Sequence, residues 1–313
     1  MALPESEGRW VRPSARFPAQ PVWGHVDGLR VGLEPMPGPR GLLRVYSPYL
    51  GHVPGRMINF IAVEPTVTGQ ERRGFSELEL SQTDGVRGKR FWSVNRPNDL
   101  APQPPDHPAR GVVSREGDVE TLEVFVHVER FNSGADPYLR LRFRSDRPFE
   151  VGIASFAKRS SRPMRSCVLT ATMGNYARLR RLQLADRIVQ SRNLWPAFDG
   201  DAFAPVRRFP LDQLTRTPEG HAFVSATTDE SEPQKADYAP FTFKGWKYTG
   251  LRAVQYWRCE SPPDDLYVRV NGRTKYWASR TPIPGGISFE NFEMVARFRS
   301  GQEFWFGVKP DQQ

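Results

Sequence analysis

Asn175, Tyr176 and Arg178 fall within four residues of one another in Met-Gly-Asn-Tyr-Ala-Arg, and Gln255, Tyr256 and Arg258 repeat the mixture in Gln-Tyr-Trp-Arg. These side chains suit β-elimination on an acidic sugar. Arg, Asn or Gln neutralises a uronate carboxylate, and Tyr, His or Lys removes the proton that neutralisation has acidified. His127, between Glu123 and Glu129 and beside Phe125, is a candidate partner. Hydrolysis would need two carboxylates facing one groove instead. Glu77 and Glu79 in Ser-Glu-Leu-Glu-Leu are expected on one face of a strand, and Glu290 with Glu293 in Phe-Glu-Asn-Phe-Glu forms a second acidic cluster.

Three runs mix flat rings with polar groups, the combination that stacks on sugar faces and bonds their hydroxyls or acid groups. They are Phe91–Arg96, with Trp92 and Arg96; Gln255–Arg258, with Tyr256 and Trp257; and Lys275–Arg280, with Tyr276 and Trp277. Together they are expected to line one cleft. The chain has no Walker-type glycine loop, no GxGxxG, no HExxH and no GxSxG, which excludes the common nucleotide enzymes, zinc proteases and serine hydrolases. The five histidines are scattered, and Cys167 and Cys259 are the only cysteines, so no metal motif or disulfide framework can be read from spacing. One disulfide or two buried thiols both remain open. No cofactor is expected; a structural Ca²⁺ on loop carboxylates such as Asp264 and Asp265 is the one candidate ion.

The elements that must carry these residues are strands. Leu122, Val124, Val126 and Val128 alternate with Glu123, Phe125, His127 and Glu129, and Leu139, Leu141 and Phe143 alternate with Arg140, Arg142 and Arg144. Turn residues 132–137 separate the two, which predicts a hairpin whose outer row of arginines is a positive stripe. Leu42–Ser47 and Met57–Glu64 read as buried strands. Asn271-Gly272 predicts a type I′ hairpin between Leu266–Val270 and Arg273–Ala278, and Ser300-Gly301 predicts another between Phe292–Arg299 and Gln302–Val308. Tyr176–Ser191 alone argues for a helix, although a strand followed by a turn also fits. Proline at 97, 102, 104, 105 and 108 makes 95–110 a loop, and 228–240 is an acidic second loop.

With 26 Gly and 29 Pro spread along 313 residues, the fold class expected is all-β: an antiparallel β-sandwich, jelly-roll or lectin-like, with at most one or two short helices. Residues 1–313 are read as a single domain, with 1–40 a proline-rich extended segment anchored by Trp10, Phe17 and Trp23. In strand and aromatic content the chain resembles the single-domain β-sandwich polysaccharide lyases, glycosidases and lectins. It departs from one glycosidase clan's Glu-x-Asp-x-Glu strand, because Glu77-Leu78-Glu79-Leu80-Ser81 stops one carboxylate short, and it lacks the strand motifs of alginate lyases. That resemblance implies a polysaccharide partner and cleavage of glycosidic bonds; the positive excess puts elimination on an acidic glycan ahead of hydrolysis by a Glu pair, with a non-catalytic glycan-binding module as the further alternative.

Net charge is +9 and the excess is arginine, whose planar fork grips carboxylate or phosphate. Nucleic-acid binding ranks last, because acidic residues are interspersed throughout. No run is long enough to cross a bilayer and the first residues do not read as an export signal, so the expected location is cytoplasmic or, had a signal been removed, extracellular or periplasmic.

Overall fold

The computed structural model describes residues 1–34, 36–98 and 104–311; Pro35, in the proline-rich segment 1–40, and Pro102, in the loop 95–110, lie outside them. Strand accounts for 42% and helix for 5%, which makes the chain all-β, of the antiparallel sandwich class. Among the described residues the strands fall into two antiparallel sheets of ten and eleven. The chain divides into two compact units. The first comprises Met1–Val45, Ile61–Leu169 and Arg297–Trp305, and the second Tyr46–Phe60, Thr170–Ala296 and Phe306–Gln313.

In the first unit the N-terminal segment does more than drape. Glu5–Glu7, Trp10–Arg12, Val22–His25 and Arg30–Gly32 pair in order as an antiparallel meander. Trp10 and Trp23 are buried, whereas Phe17 is exposed and stacks on His107. The predicted hairpin of Val119–Val128 and Pro137–Arg144 is present, with Leu122 opposite Phe143 and Val126 opposite Leu139. All the inward residues named above are buried, as period-two alternation requires. Glu150–Ala157 extends this sheet on one side and Phe91–Val94 on the other.

Glu77 and Glu79 lie in a turn, not a strand: the N–H groups of Leu78 and Glu79 both bond the Phe75 carbonyl. The Ser76 hydroxyl holds that turn in place by donating to the Gly41 carbonyl at 2.6 Å.

The second unit pairs Ile188–Gln190, Arg181–Gln183, Ala222–Thr227 and Ala253–Cys259 in one antiparallel run. Arg207–Pro210, Tyr267–Arg273 and Ser288–Val295 form another. Over 176–191 the alternative of strand and turn holds in place of the helix: Arg181–Gln183 and Ile188–Gln190 are strands joined by a tight reversal, and the short helix Ser191–Leu194 starts only at the end of that range. Helix propensities of Ala, Leu and Arg amount to only a few tenths of a kcal/mol per residue, and sheet pairing on both sides of Arg181–Gln183 outweighs them.

Asn271-Gly272 is not a turn. It continues the strand Tyr267–Arg273, opposite an extra residue in Ser288–Val295. Asn271 Oδ1 accepts the Asn291 N–H at 3.0 Å, and a Cβ on Gly272 would meet the Ser288 carbonyl at 2.8 Å, so close packing explains the glycine. The reversal comes later, at Trp277–Arg280, closed by a bridge of Lys275 to Pro282, with Ala278 at φ +54°. The second predicted hairpin is likewise a connection: Ser288–Val295 and Glu303–Pro310 belong to different sheets.

Candidate functional site

The second unit gathers most of the elimination candidates. Gly174 allows the backbone to press against the strand Ser288–Val295, where a Cβ would meet the Phe289 carbonyl at 2.6 Å. Its N–H bonds the Glu290 carbonyl, and the Asn175 N–H bonds the Glu290 carboxylate. Tyr176 then inserts among rings, with centroids 5.2 Å from Tyr276, 5.6 Å from Trp246 and 6.0 Å from Tyr238. Its hydroxyl donates to the Trp277 carbonyl at 2.7 Å, tying the loop at 276–282 to this cluster.

Arg178, held at φ +49°, is fully buried. Its guanidinium donates to Glu230 at 2.6 Å, to the Tyr238 hydroxyl at 3.2 Å, to the Tyr276 hydroxyl at 3.4 Å and to the Pro233 carbonyl. Arg180 bonds the same Glu230 and Asp229.

Convergence does not make these residues a catalytic set as arranged. Burial, reinforced by Glu290, raises the Tyr176 hydroxyl above its usual value, the wrong direction for a proton acceptor. Arg178 has its donors committed to protein. Glu290 is buried and its carboxyl is pushed up to about 8, so near neutral pH it is mostly protonated. Glu293 bonds its cross-strand neighbour Arg269 instead.

The run Gln255–Arg258 turns out to be core. Gln255 accepts the Asn59 amide at 2.6 Å, Trp257 donates to the Phe292 carbonyl at 2.8 Å, Tyr256 packs on Phe223, and Arg258 pairs with Glu260. All four are buried. In this run the aromatic and polar residues belong to a strand whose two faces are both covered.

In the first unit, Trp92, His127, Tyr138 and Phe156 stand directly opposite one another on four adjacent strands and stack as a ladder, with centroid spacings of 5.5, 5.3 and 5.0 Å. Lys158 lies 5.1 Å from the Trp92 ring centre. His127 is fully buried between two rings, which suits packing and not proton transfer to a ligand. Arg96 is exposed. The arginine stripe is matched: Arg140 and Arg142 both bond Glu303, Arg142 also bonds Glu123, and Arg144 bonds Asp146. Glu77 is pushed up to about 8 by burial and by nearby Glu64, while Glu79 pairs with Lys89.

An open groove of about 640 Å³ in the second unit is lined by Ala239, Pro240, Phe241 and the loop Ala278–Pro282. Phe241 is 78% exposed, and Arg280 and the hydroxyl residues Ser279 and Thr281 lie on the same lining. Arg280 belonged to the third aromatic-polar run, but Phe241 carried no sequence signal beyond lying just after the acidic loop. Among the described residues no three His, Cys, Asp or Glu side chains gather as a metal site, and Asp264 is exposed in a turn. No helix among them is long and apolar enough to cross a membrane. No protein-family model, no curated protein and no solved structure matches the chain.

Proposed function

We propose that this chain recognises an acidic glycan at the groove between Phe241 and the loop Ala278–Pro282, as a binding module. The observation that carries the reading is one widely exposed ring beside an exposed arginine in an open groove. Phe241 offers a face to a sugar ring, Arg280 a fork for a carboxylate, and Ser279 and Thr281 hydrogen bonds to hydroxyls. The net charge of +9 favours an acidic partner. Binding takes precedence over elimination because the lining carries neither tyrosine nor histidine, and Tyr176 is buried with its hydroxyl committed to Trp277.

Calorimetric titration with uronate oligosaccharides and their neutral counterparts tests this. Phe241→Ala and Arg280→Ala are each expected to weaken uronate binding about tenfold, the scale of a lost ring stack or charged fork. Equal affinity for neutral sugars, or variants that bind like the parent, would overturn it. Ultraviolet absorbance from unsaturated sugar ends during the same incubation would restore elimination.

A further inference from the structure

Arg56 is placed as few arginines are. It is 2% exposed, and among the described residues no carboxylate pairs with it. Nη1 donates to the Gly245 carbonyl at 3.2 Å, while Nε and Nη2 are buried and meet no protein acceptor. Those two nitrogens share one edge of the guanidinium, where parallel N–H bonds match the two oxygens of a carboxylate or phosphate. Other donors nearby are also unmatched. The guanidinium lies 5.6 Å from the Tyr248 ring centre, and His52 packs edge-on against the same ring with both nitrogens buried and unpartnered. Trp246, next in sequence to Gly245, buries its indole N–H without an acceptor. Tyr176, Tyr238 and Arg178 complete the charged and phenolic surroundings. A buried guanidinium without a counter-charge is costly, and the fold keeps one whose bidentate edge has no protein acceptor.

We propose that Arg56 anchors an internal oxyanion site in the second unit, which takes a carboxylate or phosphate group small enough to be enclosed. The site is independent of the glycan groove, whose lining does not include Arg56. Burial depresses the guanidinium to about 10, still well above neutral pH, so the charge that would hold the anion persists under ordinary conditions.

The test is the melting temperature of the full chain titrated with sodium acetate or sodium phosphate against sodium chloride at matched ionic strength. Acetate, phosphate or both should raise it in a saturable way beyond chloride, and the response to each anion says which oxygen geometry the edge accepts. Arg56→Lys, which keeps a charge but loses the fork, should weaken the apparent affinity by about tenfold or more. Arg280→Ala should leave the effect intact, which separates this site from the groove. No response beyond chloride in the parent protein would overturn the proposal, and so would an undiminished response in Arg56→Lys. Should Arg56→Lys not fold, the parent protein and Arg280→Ala still put the proposal at risk, because no saturable response beyond chloride in either overturns it.

Discussion

Glu290 shows how a single residue type can be legible while its role is not. The sequence marks it as a carboxylate among aromatics; only the packed strand makes it a protonated acid held by the Asn175 N–H. Its folded value lies above the unfolded one, so its contribution to stability is full below about pH 4.5 and declines as pH rises towards about 8. Glu290→Gln should therefore gain stability relative to the parent as pH increases from 5 to 9, read as the difference in melting temperature between the two proteins at each pH. Arg178 is the opposite case, a charge fully satisfied inside. Arg178→Met leaves Glu230 with Arg180 but strips the Pro233 carbonyl and the Tyr238 and Tyr276 hydroxyls of a donor, and should cost about 1–3 kcal/mol, measured by urea unfolding. The arginine assigned to substrate is in this structure a strut.

At the level of elements, alternation was the reliable signal, turn chemistry held at 132–137, and the two glycine dipeptides Asn271-Gly272 and Ser300-Gly301 were the misleading ones. The hairpin of Val119–Val128 with Pro137–Arg144 follows from period two, because one buried face fixes register for the whole strand. Asn271-Gly272 misled because glycine serves two purposes, positive φ and close approach, and a dipeptide cannot tell them apart. Gly272→Ala should cost about 1–3 kcal/mol in urea unfolding, since its Cβ would sit 2.8 Å from the Ser288 carbonyl and 3.0 Å from the Trp195 ring. The ring ladder was hidden for a related reason: each ring belongs to a different strand, and only register brings Trp92, His127, Tyr138 and Phe156 into line. His127→Leu should lower stability by about 1 kcal/mol and leave glycan binding unchanged, which distinguishes packing from chemistry.

At the scale of the whole molecule, the charge excess survives folding but the stripe expected from Arg140, Arg142 and Arg144 does not, because Glu123, Glu303 and Asp146 fold against it. Glycan binding should accordingly be moderately salt-sensitive and centred on Arg280, with Arg142→Gln having little effect in the same titration. The two cysteines, which spacing left open between a disulfide and two thiols, are both buried thiols, not joined to each other. Burial pushes Cys167 up to about 12. A thiol reagent such as Ellman's should label neither cysteine in the native protein and both in guanidinium.

The sequence by itself determined the class: alternating apolar residues, scattered glycine and proline, and the absence of long helical periodicity leave antiparallel sheets as the arrangement that buries one face of each strand. It also marked Asn175, Tyr176, Arg178, Tyr276, Trp277 and Glu290, which the second unit does gather. Tertiary structure decided which side chains reach solvent. Burial and partnering depend on neighbours distant in sequence, as when Trp277 caps Tyr176 from 101 residues away. Those neighbours turned the expected catalytic group into a core, left Phe241 and Arg280 on an open groove, and gave Arg56 a buried, unpaired edge that no local pattern announces.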